Sequence, residues 1–350
     1  MSSEAGRSLQ DLRRELEEES LDAQVLRPRY VKLDQYMPIN DEEVDRAGEI
    51  ELDETITLNE MRESTKDLPY SGGVKPISAV DTSSVRLGET DRGILSALRI
   101  AIIVHELDKE PVYERFGPYI VHLTEGNKHK IYNFFRTQFF NLDPLKESET
   151  PQLIKMTDRI RNFLERIAQQ IAASAIDRGI ALLDGSLTGG TIDTPKGMLK
   201  KAVDIAHSHS NSVVAISKKS WLQTVEGKKL IDLLETDARP CYIDIHNQID
   251  TRSAERFLGR VFVVKFTPDG FAFRVDVSPA RGETPLETLS SLAASCSFYN
   301  GYPEPLRQAH IHTYFTANEV LAYQAYAIER YKLETIRSFN IRKHLLAPFG

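Results

Sequence analysis

Gly179-Ile180-Ala181-Leu182-Leu183-Asp184 sets four consecutive apolar residues between a glycine and an aspartate, and Gly185-Ser186-Leu187-Thr188-Gly189-Gly190 follows. An apolar run this short, without polar alternation, reads as a strand buried on both faces, and the glycine- and hydroxyl-rich stretch after it reads as a loop. Thr194-Pro195 then starts a helix reaching about Ser208, because threonine caps a helix and proline suits its first position. Ser212 to Ser217, SVVAIS, is a second buried strand. Two buried strands joined through a helix are expected to lie parallel, with helices covering the sheet.

Upstream, Thr150-Pro151 opens a long helix that Gly179 ends. Before it, the turn signal Ser71-Gly72-Gly73 introduces three extended segments, Pro76 to Asp81, Leu95 to Glu106 and Tyr119 to Leu123, which read as an antiparallel meander. Three meander strands followed by helix, strand, helix and strand form the pattern of an α/β, ribonuclease-H-like mixed sheet flanked by helices. Downstream, Arg260 to Phe266 and Gly270 to Val277 form a hairpin around Pro268-Asp269-Gly270, and helices close the chain from Pro305 onward. The expected organisation is a charged helical extension over residues 1–70, a catalytic domain over 71–315 and a C-terminal helical segment over 316–350. In the extension, Leu9, Leu12 and Leu16 recur at helical spacing before an acidic stretch from Asp41 to Glu54.

The 350 residues are 41% hydrophobic and 27% charged, the composition of a globular protein. Cys241 and Cys296 lie far apart with no CxxC pair, which argues against a disulfide framework or a cysteine-based zinc site. The start is charged and the longest apolar run, Ile94 to Val104, is interrupted by Arg99, so a cytoplasmic protein with no membrane span is expected. The net charge of −7 does not announce a nucleic-acid binder, so motifs must carry the function.

Asp81 ends the stretch Ile77-Ser78-Ala79-Val80 as Asp184 ends Ile180-Ala181-Leu182-Leu183, and hydroxyl-bearing residues follow both. Two carboxylates held at the ends of adjacent strands suit hard divalent cations, which activate water and stabilise the leaving oxygen of a phosphodiester. Either aspartate alone is equally a turn or cap residue. A third carboxylate is expected from the intervening helix. Glu165 lies off the Ile160, Leu164, Ile167, Ile171 stripe, near Ala168 and Ala172, where small residues permit close approach to the sheet. A solvated helical glutamate is the alternative.

Three stretches, ISAVDTSSVRLG at Ile77 to Gly88, LLDGSL at Leu182 to Leu187 and GYPEPLRQAH at Gly301 to His310, resemble the NurA nuclease family of archaea and bacteria. The resemblance spans about residues 74 to 315 and is most specific in the third stretch. It implies site residues Asp81, Glu165, Asp184, Tyr302 and His310, with Asp81, Glu165, Asp184 and His310 as metal ligands. Thr82 stands where the family usually has glycine, which changes the turn but keeps the carboxylate. Imidazole among carboxylates favours Mn²⁺, with Mg²⁺ as the second choice. Tyr302 is expected to donate a hydrogen bond to phosphate or water, since a phenol ionises only near pH 10. The resemblance further implies 5′ to 3′ exonuclease activity on single- and double-stranded DNA, endonuclease activity on single strands, DNA-end resection in break repair, a homodimer, and a HerA-type hexameric ATPase as partner.

Arg86, Lys218 and Lys219 flank the strand ends and are candidate phosphate contacts, or ordinary solvated charges. His207, His209 and His312 read as surface or structural residues. Competing readings are an actin-like or sugar-kinase-like phosphotransferase, which also uses aspartate-led glycine-rich loops but needs a duplicated core, and a non-catalytic DNA-processing partner.

Overall fold

The computed structural model describes residues 30–33, 57–58, 65–70, 72–189, 196–218, 220, 222–224, 227, 229–235, 237–249 and 256–336. The expected N-terminal helix, the acidic stretch, the Thr194-Pro195 helix start, Lys219 and the terminal HLLAPFG lie outside these residues.

Ile77–Thr90 (β1), Gly93–His105 (β2) and Val112–Thr124 (β3) form the antiparallel meander. Strands β1 and β3 far exceed the segments marked by apolar patterning, while β2 matches its segment to within two residues. Polar residues such as Ser83, Ser84 and Arg86 stay extended because each is paired with a residue of β2, a tertiary effect that outweighs local preference. Lys128–Phe134 (α1), which no apolar period announced, leads into a π-helical turn at Phe135–Phe139. Then come Leu153–Ala173 (α2), Ile180–Asp184 (β4), Lys196–Ser208 (α3) and Ser212–Ser217 (β5). Leu230–Glu235 (α4) and Cys241–Asp244 (β6) precede the hairpin Arg260–Lys265 (β7) and Ala272–Ser278 (β8). Pro285–Ser295 (α5), Glu304–Thr313 (α6) and Ala317–Tyr331 (α7) complete the described helices.

The sheet runs β3-β2-β1-β4-β5-β8-β7-β6. Strands β1, β4 and β5 are parallel, β2 is antiparallel to β1 and β3 antiparallel to β2, and β8, β7 and β6 extend the far edge in antiparallel fashion. This is the ribonuclease-H-like mixed sheet flanked by helices. The described residues hold one such set of strands. Helices α2 and α3 cover one face over a core that includes Val80, Ile102, Leu164, Leu183 and Val203. Helices α5 and α6 cover the other over Ala79, Leu182, Val214, Leu289 and Leu306. Alternate side chains of β4 therefore enter different cores, which explains its unbroken apolar run. Among the described residues no helix is long and apolar enough to cross a membrane.

The entry of β4 is tightly specified. Gly179 has no room for a side chain, because a Cβ there would lie 2.5 Å from the Pro76 carbonyl oxygen. Asn211, fully buried, accepts from the Gly179 N–H at 2.7 Å and donates to the carbonyls of Ala173 and Ile176 at 2.9 and 2.6 Å. One amide thus ties the end of α2 and the starts of β4 and β5. Removing it strands three buried backbone groups, so Asn211→Ala is expected to lower stability by about 3 kcal/mol. Urea unfolding should show a lower midpoint with an unchanged denaturant slope.

Candidate active site

Strand β1 is longer than its parallel neighbour, and the site lies where that neighbour stops. Ile77 to Val80 pair with β4, and Gly88 to Thr90 pair with the short strand Tyr30–Leu33. Between them, residues 81–87 have no strand partner on that edge among the described residues, which leaves a notch in the sheet. Asp81 opens the notch. It does not terminate its own strand, as the apolar pattern suggested; the pairing with β4 is what ends there.

The register sets Val80 opposite Leu183, so the next step places Asp81 beside Asp184, with backbones about 5 Å apart. Both carboxylates lie on the α6 face. Asp81 Oδ2 accepts from Thr313 Oγ1 at 2.8 Å and is 3.1 Å from His310 Nδ1. His310 and Thr313 are one helical turn apart on α6 and so reach the same carboxylate. Asp184 Oδ2 accepts from Lys218 Nζ at 2.8 Å, and that ammonium lies 5.5 Å from the centre of the Tyr302 ring. Tyr302 is delivered by a two-strand hairpin, Phe298–Tyr299 and Tyr302–Pro303, whose turn residues Asn300 and Gly301 both have positive φ. Asn-Gly is the pair that such a turn requires, a signal present in the sequence ahead of the YPEP motif.

Glu165 approaches from the other face. Ser96 Oγ meets Thr157 Oγ1 at 2.9 Å near the start of α2, and Ser78 Oγ donates to the Ala172 carbonyl at 2.8 Å near its end, so α2 runs antiparallel to β1. Glu165 is seven residues before Ala172, about 10 Å along the helix axis, and Asp81 is three residues beyond Ser78, about 10 Å along the strand. The notch therefore puts the glutamate level with the two aspartates, across the thickness of the sheet. Its Oε1 accepts from Gln169 Nε2 at 3.1 Å.

The corner between α6 and α7 is pinned by Arg99 on β2, which is 1% exposed. Its guanidinium donates to the Tyr314 carbonyl and Glu319 Oε1, both at 2.8 Å, and to Tyr323 Oη at 3.0 Å, and it lies 4.3 Å from the Phe315 ring centre. Burial pushes Glu319 up, but hydrogen bonds and charge from Arg99, with the Thr316 backbone N–H and hydroxyl, take it down to about 2. Ser83 Oγ donates to the Thr313 carbonyl. None of Arg99, Ser83 and Thr313 is among the site candidates that the sequence offers. Only Thr313 had a signal, its i, i+3 spacing from His310.

Arg86 lies in the same 81–87 segment, five residues from Asp81; it is bound to Glu89 at 2.5 Å, and alternation sends it to the α2 face, from which Glu165 also approaches. His312 stacks on Tyr113, His207 lies 3.3 Å from Ser278 Oγ and His209 pairs with Asp177.

The charges are coupled. Burial pushes the Asp81 carboxyl up, but the His310 hydrogen bond and charge, with Lys218 and Thr313, outweigh it and hold the group below its ordinary value. The same hydrogen bond raises His310 against the effect of burial. Glu165 is raised, first by burial and further by the charges of Asp81 and Asp184, against opposition from Arg166 and Arg161. The three carboxylates thus share one field. Among the described residues no three His, Cys, Asp or Glu side chains are gathered into a ready coordination group. Hard oxygens with excess negative charge suit a divalent cation, but Lys218 would have to leave Asp184 to admit one.

No family model matches the chain, and no curated protein matches it. Solved structures with similarity include the NurA nuclease from Sulfolobus solfataricus, at 14% identity and a TM-score of 0.46 over 84% of this chain and 95% of that one. A second NurA structure gives 10% identity and 0.47 over 83% and 96%. Ciona intestinalis Endonuclease V, crystallised with inosine-containing DNA, gives 17% and 0.37 over 81% and 100%. At these values the similarity carries neither membership nor residue roles to this chain.

Two titrations follow from the coupling. His310 should titrate above 6.5 by NMR, and Asp81→Asn should bring it down, because the largest cause of its shift is then gone. Glu165, being raised in the folded state, contributes stability that is present below its unfolded value near 4.5 and lost as pH rises through its folded value. In EDTA, Glu165→Gln should therefore gain melting temperature relative to the parent as pH rises from about 4 to about 8; parallel melting profiles would contradict the shift.

Proposed function

We propose that this chain is a divalent-cation-dependent DNA nuclease of the NurA type, hydrolysing phosphodiester bonds. The observation that supports the reading is the side-by-side register of Asp81 and Asp184 at one notch of a ribonuclease-H-like sheet, with Glu165 on the other face feeling the charge of both. The sequence run from Gly301 to His310 supports the family choice and supplies Tyr302 and His310.

Asp81, Glu165, Asp184 and His310 would hold Mn²⁺ or Mg²⁺, which when bound supplies a Lewis acid for the phosphoryl oxygen and lowers the pKa of water. The chain's own residues prepare that state. His310 and Thr313 keep the Asp81 carboxylate ionised and oriented despite its burial. To act as a ligand, His310 must give up a proton that its bond to Asp81 makes harder to lose, so cation binding and proton release are linked. Lys218 neutralises Asp184 in the free protein and, once displaced, has a phosphate oxygen as its natural partner. Tyr302, beside Lys218, supplies a phenolic donor for the same phosphate.

The wider assignment follows the motif resemblance: 5′ to 3′ exonuclease and single-strand endonuclease activity, end resection, a homodimer, and a HerA-type hexameric ATPase that feeds DNA to the nuclease. Labelled single-stranded DNA incubated with Mn²⁺, Mg²⁺ or EDTA is the direct test. Cleavage should need the cation, and Asp81→Ala and Asp184→Ala should each slow it on the order of 10³-fold or more while the fold survives. Full activity in Asp184→Ala would sink the assignment.

A further inference from the structure

The cations around the notch are unequally engaged. Arg86 is bound to Glu89, Arg99 and Arg115 to Glu319, Lys218 to Asp184 and Arg307 to Glu304. Arg161 is different. Among the described residues it has no carboxylate within ion-pair distance and its Nη2 makes only a long 3.3 Å contact with Asn162 Oδ1; its Nε, like those of Arg86, Arg99 and Arg159, is buried with no hydrogen-bond partner. A buried guanidinium donor without an acceptor is costly unless something supplies one.

Its position says what that acceptor is. Arg161 precedes Glu165 by four residues on α2, so the two side chains lie on the same side of the helix, about 6 Å apart along its axis. Since α2 runs antiparallel to β1, Arg161 lies beyond the level of Asp81 and Asp184, past the point where β4 ends. Arg166, on the other flank of Glu165, donates to Gln169 Oε1 at 2.7 Å, and Gln169 in turn donates to Glu165. Arg166 is thus committed to holding the glutamate, whereas Arg161 is next to it with donors to spare.

We propose that Arg161 is the anchor for a backbone phosphate of the nucleic-acid strand, next to the reacting phosphodiester on the α2 side of the notch. The planar fork of Nε and Nη matches two phosphate oxygens, and its distance from Glu165 suits a neighbouring phosphate rather than the one being cleaved. The inference rests on the nuclease reading. It adds a strand-binding group on the face opposite to Lys218 and Tyr302, so that the strand is held from both sides of the sheet.

The test is fluorescence anisotropy of fluorescein-labelled oligothymidylate, titrated with the full-length protein in EDTA at several NaCl concentrations. Arg161→Gln should weaken binding roughly tenfold and reduce the slope of log affinity against log salt by about 0.7, the loss of one single-strand phosphate contact. Arg161→Lys keeps the charge but not the fork, and should retain the slope while losing part of the affinity. Parent-like affinity and slope in Arg161→Gln, with the parent binding normally, would overturn the proposal and leave the nuclease reading standing. Failure of the parent to bind the oligonucleotide would overturn both. Should Arg161→Gln not fold, parent-like affinity in Arg161→Lys would be the contrary result.

Discussion

The parallel pairing of β1 with β4 ends at Val80 and Leu183, and everything at the candidate site depends on that early stop. Had β4 continued, its backbone would have filled the edge of β1, and Glu165 on α2 would have been screened from Asp81 by a complete sheet. The stop instead exposes polar backbone and side chains in the middle of a long strand, at a place where the rest of the molecule can keep them rigid. The register then decides which residues meet. A slip of one residue would send Asp184 to the opposite face from Asp81.

Holding two aspartates and a glutamate together in a half-buried notch is unfavourable, and the fold offsets it with specific partners. His310 and Thr313 hold Asp81, Lys218 holds Asp184, and Gln169 with Arg166 holds Glu165. These partners come from α6, the end of β5 and α2, so the charge balance also ties the two helical layers to the sheet. Arg99 performs a related task out of reach of solvent. By bonding Glu319 and the Tyr314 carbonyl it fixes the end of α6, where Thr313 and His310 are carried.

Much of this was legible in the chain. The alternation of strand and helix from Gly179 to Ser217 identified the parallel strands, because a strand buried on both faces must be apolar throughout and its connecting helix must be amphipathic. The tight Asn300-Gly301 turn and the helix that begins at Glu304 follow from local backbone preferences, which act within a few residues and therefore show in sequence. The length of β1 did not, because Thr82 to Arg86 are extended through pairing with β2 rather than through any preference of their own. Arg99 was equally illegible, appearing only as an interruption in an apolar run until α7 brought Glu319 to it.

By itself, then, the sequence determined the succession of meander, helix, strand, helix and strand up to Ser217, the two aspartates at apolar runs and the hairpin-helix motif carrying Tyr302 and His310, since each is a matter of neighbouring residues. Only the tertiary structure decided that Asp81 lies within a strand at a notch, that Lys218 meets Asp184, that Arg86 bonds Glu89 on the α2 face and that Arg161 keeps an unbonded donor beside Glu165. Those outcomes depend on strand register and helix direction, which are set by contacts between residues far apart in the chain.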